Sequence, residues 1–187
     1  DNISKIIVPI NPDDLQAQTL SYTHPEKLQF VAGGVERSDS VLAGLNIIRD
    51  RAHDDDWVLV HDVARPCVRL DDIQKLIETL SEDEVGGVLA NQVRDTIKQS
   101  VEHSFRVSSS LTRNQLWQAL TPQMFRFGVL YQALNRAKKY KVSVTDESAA
   151  IEALGYQPLL VLGAYDNIKI TYPEDLALAD YLLRQQV

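Results

Sequence analysis

Residues 58–66 read VLVHDVARP: an apolar run that ends on His61-Asp62, with Arg65 three residues past the acid and Pro66 behind it. The run Trp57–His61 has little polar alternation, which is the pattern of a strand buried on both faces in a parallel sheet. Open α/β sheets present their ligand-binding groups just beyond the carboxyl ends of such strands. Asp62 and Arg65 therefore read as members of a site. By themselves they read about equally well as a turn-opening acid and an arginine paired with a surface carboxylate.

Working outward, β-branched apolar runs alternate with helical patterns. Lys5–Pro9 and Leu28–Val31 read as short strands, and Asp39–Asp50 as a helix started by Ser38 or Asp39. Asp71–Leu80 carries acids in its first turn and apolar residues at three-to-four spacing, so it is expected to be helical. Val88–Val93 is expected as a strand, Phe125–Tyr140 and Asp146–Leu154 as helices, and Gly155 as the stop of the second. Leu159–Leu162 and Ile168–Thr171 read as strands, and Pro173–Arg184 as a last helix with proline in its first turn. This order predicts an α/β, Rossmann-like fold: a largely parallel sheet with helices on both faces. Only Asp95–Arg113 breaks the alternation. It is polar, serine-rich and weakly alternating, and is expected to form an antiparallel arm protruding from a single domain that spans residues 1–187.

The chain has 187 residues, 44% of them hydrophobic, which suits one globular domain with a substantial core. No apolar run approaches the roughly 20 residues of a membrane span, and no signal-peptide pattern opens the sequence. Cys67 is the single cysteine and is read as a small buried hydrophobe. The histidines at 24, 53, 61 and 103 never fall at metal-ligand spacing. These features point to a cytoplasmic protein. A net charge of −7 excludes a general nucleic-acid surface, and requires any phosphate site to gather its few cations locally.

Six motifs, the opening one among them, follow one another: GGVERSDSV (33–41), VLVHDVARP (58–66), VRDTIK (93–98), LTRNQLWQALTPQ (111–123), VTDES (144–148) and DNIKITYPEDL (166–176). Over essentially the whole length this series resembles the methylerythritol phosphate cytidylyltransferases of isoprenoid precursor synthesis. The resemblance implies transfer of a cytidylyl group from CTP to 2-C-methyl-D-erythritol 4-phosphate with release of pyrophosphate. It also implies a divalent cation, normally Mg²⁺, on the triphosphate. Two anions must meet at the α-phosphorus, so positioning and charge neutralisation carry most of such catalysis.

By the same resemblance, Asp62 is the metal- and ribose-side acid and Arg65 lies near the acceptor. Gly33, Gly34 and Ser40 match the segment that reads the pyrimidine, where glycine lets backbone groups approach the base. Thr96, Arg113, Lys169 and Thr171 match positions that hold the sugar phosphate, with Arg113 and Lys169 catalytic beside Asp62. Thr121 and Thr145 match further polar positions, and Thr145 also reads as the N-cap of the helix at Asp146. Lys98, on the arm, reads as solvated. Two residues depart from the pattern: Val35 stands where the family often has an acid, and Val63 is bulkier than the small residue usual after the acid, beside the ribose. The arm is implied to cross to a second subunit and build a homodimer.

Family members begin with a strand, a glycine-rich loop of the PAAGxGxRM type and a PKQ lysine, none of which occurs here. An amino-terminal βα unit on the order of 30 residues or more is therefore expected to precede Asp1, and these 187 residues alone are expected to be inactive. Two rival readings are a cytidylyltransferase acting on ribitol 5-phosphate and a non-catalytic dimerising remnant. A nicotinamide oxidoreductase fits the element order only, because the GxGxxG fingerprint is missing.

Overall fold

In a computed structural model of the chain, residues 3–186 are described. Thirteen strands and helices follow in order: β1 (Ile6–Ile10), β2 (Leu28–Ala32), α1 (Arg37–Ile48), β3 (Trp57–Val60), α2 (Leu70–Leu80), β4 (Gly86–Gln92), β5 (Lys98–Ser100), β6 (Val107–Ser110), β7 (Trp117–Arg126), α3 (Phe127–Tyr140), α4 (Glu147–Glu152), β8 (Leu159–Leu162) and α5 (Asp175–Gln185). The chain divides into two compact units. One takes in Asp1–Val58 with Phe125–Gln157, the other Leu59–Met124 with Pro158–Val187.

In the first unit β1 and β2 pair in parallel, from Ile6 opposite Leu28 to Ile10 opposite Ala32. α1 packs on both strands and on α3, which in turn carries α4. The buried side chains are the apolar stripes of these helices: Leu42 and Leu45 from α1, Phe127, Leu130 and Leu134 from α3, and Ile151 from α4. Asp146, not Thr145, caps α4, accepting from the Ala149 amide at 2.9 Å. Gly155 follows α4 at φ +92°, a left-handed conformation that suits glycine, as expected of a helix stop.

Strands β3, β7, β4 and β8 form a sheet in that order. β4 and β8 are parallel, and α2 packs on both with Leu76 and Leu80 fully buried. The fold is α/β with a mostly parallel sheet, as the alternation predicted. β7 is its antiparallel member: Phe127 N donates to Asp56 O at one end, and Asp62 N to the Thr121 hydroxyl at the other. This strand is absent from the sequence reading. WQALTPQMFR has few β-branched residues and a proline, and its buried stretch Leu120–Phe125 runs straight into the helical period of α3. The helix itself starts at Phe127 rather than Phe125, and α1 starts at Arg37 rather than Asp39.

Two other expectations are corrected. β3 is half-buried along its length, whereas β4 is the strand buried on both faces. Ile168–Thr171 is not a strand. Its amides turn inward instead, Ile168 N to Asp166 O and Ile170 N to Ala64 O, both at 2.8 Å. The polar stretch does form an antiparallel arm, with Lys98 opposite Ser110 and a bulge between Gln99 and Ser100. Every residue of its two strands is exposed.

Candidate active site

The turn after β3 is built almost wholly from its own polar groups. Arg65 N closes it on Asp62 O at 2.9 Å. The His61 ring bridges the turn, with Nε2 3.1 Å from the Arg65 carbonyl and Nδ1 2.9 Å from the Thr121 hydroxyl. A carbonyl can only accept, so Nε2 carries the proton and the bare Nδ1 accepts from Thr121. The same hydroxyl accepts the Asp62 amide at 3.0 Å. One threonine on β7 thus satisfies both the acid's backbone and the histidine that steadies it. Loss of water around the ring holds the His61 imidazole below the usual histidine range, against the opposing pull of the Arg65 carbonyl and the Asp62 charge.

The side chains of Asp62 and Arg65 are only 13% and 11% exposed. Lys169 Nζ lies 3.1 Å from the Asp62 carboxylate, and Arg65 Nε lies 4.0 Å from it. Arg65 also donates to the Asn167 carbonyl at 2.9 Å, while Asn167 sends its own amide to the Thr121 carbonyl at 2.8 Å. Asn167 is buried, and the sequence reading gave it and His61 no role. The available signal was their position inside the DNIKIT and VHD motifs. Failure of Ile168–Thr171 to join a ladder is what leaves Lys169 there: Ile170 N is bonded to Ala64 O, so the segment follows the turn.

Asp62, Arg65, Thr121 and Lys169 are therefore brought together. Thr171 lies two residues on, exposed, with its amide on Asp175 Oδ2 at 2.8 Å. Val63 is exposed beside the acid. Thr96 and Arg113 flank the arm and are exposed. Arg113 donates to the Arg94 carbonyl, and the Arg94 guanidinium lies over the Tyr165 ring, 3.2 Å from its centre. Lys98 is exposed and bonded across the hairpin to Ser110 Oγ at 2.5 Å.

In the first unit, Gly33, Gly34 and Ser40 form one closed loop. Gly33 N donates to Ile10 O at 2.7 Å, Gly34 N to Ser40 Oγ at 3.0 Å, and Ser40 Oγ to Glu36 O at 3.3 Å. A Cβ on Gly34 would fall 2.2 Å from Asp39 Cβ, so the loop closes only with glycine there. Thr145 is exposed just before α4.

Among the described residues no three His, Cys, Asp or Glu side chains cluster as a metal cage. One carboxylate at a strand end is the donor set of a Mg²⁺ that takes its remaining ligands from phosphate oxygens and water. Asp62 fits that chemistry.

An α/β sheet with an acid, an arginine and a lysine gathered at one strand end describes a nucleotide-handling enzyme, and comparison with solved structures agrees. The crystal structure of a 4-diphosphocytidyl-2C-methyl-D-erythritol synthase is similar at TM-score 0.84 and 34% identity, over 96% of this chain and 82% of that one. That of the 2-C-methyl-D-erythritol 4-phosphate cytidylyltransferase of Francisella tularensis gives 0.83 and 37%, over 96% and 80%. The sequence matches the 2-C-methyl-D-erythritol 4-phosphate cytidylyltransferase family over residues 1–185. The enzyme of that name from Pectobacterium atrosepticum is 45% identical over 181 residues, covering 97% of this chain and 74% of the relative. The chain belongs to this family and is a nucleotidyltransferase.

Proposed function

We propose that the protein transfers a cytidylyl group from CTP to 2-C-methyl-D-erythritol 4-phosphate, in isoprenoid precursor synthesis. The observation that carries the reading is the Asp62 carboxylate held between Lys169 and Arg65 at the end of β3. An acceptor phosphate oxygen attacks the α-phosphorus of CTP, its new P–O bond forming as the bond to pyrophosphate breaks. Asp62 would hold a Mg²⁺ that accompanies CTP, and lies on the ribose side next to Val63. A bound Mg²⁺ supplies charge neutralisation across the phosphates. Lys169 and Arg65 give the acceptor phosphate its charge-assisted donors, with the hydroxyls of Thr96, Thr171 and Thr145 around the polyol. Thr121 serves through Asp62 and His61, whose places it sets. Gly33, Gly34 and Ser40 form the loop that reads the cytosine.

Residues 1–187 belong to a single nucleotidyltransferase domain with an arm at about 95–113. The arm makes a homodimer and carries Arg113 to the neighbour's acceptor. Exposed Val101, Phe105, Val107 and Leu111 on the hairpin support this, since an isolated two-stranded hairpin is marginal in water. No helix among the described residues is long and apolar enough to cross a membrane. With a single buried cysteine, the chain suits a reducing cytoplasm.

The test, made on the complete enzyme, is release of pyrophosphate from CTP, Mg²⁺ and the acceptor. Turnover that requires 2-C-methyl-D-erythritol 4-phosphate and falls with ribitol 5-phosphate is expected. Equal or better turnover with ribitol 5-phosphate would overturn the choice of acceptor.

A further inference from the structure

Arg37 and Glu147 form a two-pronged ion pair inside the first unit, Nη1 to Oε1 at 2.6 Å and Nη2 to Oε2 at 2.9 Å. The Glu147 side chain is 1% exposed and that of Arg37 35%, so the pair is buried on its carboxylate side. Each residue carries a local cost, Arg37 from its place at a helix start and Glu147 from burial. Arg37 is the first residue of α1, where the helix dipole opposes a cation. Glu147 opens α4 with its carboxylate out of water, and burial pushes its carboxyl up against the pull of Arg37. A buried pair of this kind adds little net stability over apolar packing. What it does fix is geometry, because an arginine fork meets a carboxylate in one plane and one orientation.

Arg37 lies within the GGVERSDS segment, between Gly34 and Ser40. The loop is closed on itself through Ser40 Oγ, and Gly33 N pins it to β1. Beyond that pin, two ion pairs tie this segment to helices distant in sequence: Asp39 with Lys138 of α3 at 2.8 Å, and Arg37 with Glu147. Lys138 is largely exposed, so its pair is weak and mobile. The buried pair is the firm one.

Resting on the proposed cytidylyl transfer, we infer that Arg37 and Glu147 are positioning residues for the nucleotide: their buried fork sets the Gly33–Ser40 loop in the place from which it reads the base. Neither touches the substrate. The start of α4, where Thr145 sits, keeps its own cap through Asp146 when Glu147 is changed. The acceptor side is therefore spared, and the effect falls on the nucleotide.

Steady-state kinetics of Glu147→Gln and Arg37→Lys test this. Each variant leaves size nearly unchanged and removes the fork. The expected result is a KM for CTP raised about tenfold or more, since a 1 Å misplacement is enough for such losses, with the acceptor KM within about twofold. Circular dichroism of both variants should match wild type. If Glu147→Gln does not fold, Arg37→Lys, which keeps the charge opposite Glu147, decides the matter. An unchanged CTP KM in a folded variant overturns the inference, and so does an equal change for both substrates. Should the wild type prefer another nucleotide, the cytidylyl reading fails, while the same shift measured with that nucleotide still judges the pair.

Discussion

The turn after β3 and the arm belong to the same unit and carry predicted site residues of similar chemistry, yet they are built in opposite ways. In the turn, Asp62 and Arg65 are nearly buried and each is held by partners from β7 and from residues 167–169. In the arm, β5 and β6 are exposed throughout, and the exposed Arg113 donates to a backbone carbonyl next to the hairpin's base. A charged group that must act with high geometric precision is held by satisfied neighbours before substrate arrives. The turn has such neighbours within its own chain. The arm would find its own in the proposed dimer.

The contrast is broken most sharply at Asp62. Asp62→Asn should reduce Mg²⁺-dependent turnover by about a hundredfold or more, as loss of a single electrostatic group in a closed site does. Thermal unfolding should move by only a few degrees, since the side chain keeps its size. Wild-type CTP affinity in the presence of Mg²⁺, measured by calorimetry, would make the acid structural. Next in size are Lys169→Ala and Arg113→Ala, each expected to lose about a hundredfold in activity. If Arg113 serves the neighbour, mixing the two inactive variants restores about half of one dimer's activity, because one site then holds neither lesion. No recovery after proven subunit exchange would place Arg113 in its own chain's site and erase the contrast.

Thr121→Val should cost about tenfold in activity and about 1–2 kcal/mol in stability, because the Asp62 amide loses its acceptor and His61 its donor. Thr121→Ser should restore most of both; equal damage from Ser and Val would mean that the methyl group, not the hydroxyl, matters. A smaller effect is a pH slope. The folded protein holds His61 below the usual histidine value, so the unfolded chain binds the extra proton more readily. Stability is then full above the unfolded value near 6.5 and declines as pH falls through the folded value. Urea midpoints of wild type and His61→Asn, compared from pH 7 down to 5, should converge as the wild type loses this advantage. Smallest is Phe105→Asp at the exposed arm, expected to change fold stability by no more than about 0.5 kcal/mol while lowering the apparent mass in sedimentation. An unchanged mass would leave the arm without its partner.

Some of this architecture was legible from residue order. The alternation of apolar runs and helical periods, the acid at the end of VLVHD, the polar break at 95–113 and the stop at Gly155 are local patterns, and local patterns respond to local energetics. β7 was hidden for the opposite reason. Few of its residues favour a strand beyond Trp117, Thr121 and Phe125, and burial of Leu120–Phe125 in the sheet makes it one. Lys169 was named from its motif, but the segment around it was misread as a ladder strand. Its apolar alternation is real, and its amides are taken by Asp166 and Ala64 instead.

Sequence by itself determined the α/β class and the family, and named the charged residues of the candidate site, because type and order are carried along the chain. Only the tertiary structure decided which hydroxyl holds Asp62, that His61 and Asn167 brace the turn, and that Arg37 meets Glu147. Those partners lie 46 to 110 positions apart in the chain or are fixed by a tautomer. A hydrogen bond depends on angstroms and angles in space, which no spacing along a sequence encodes.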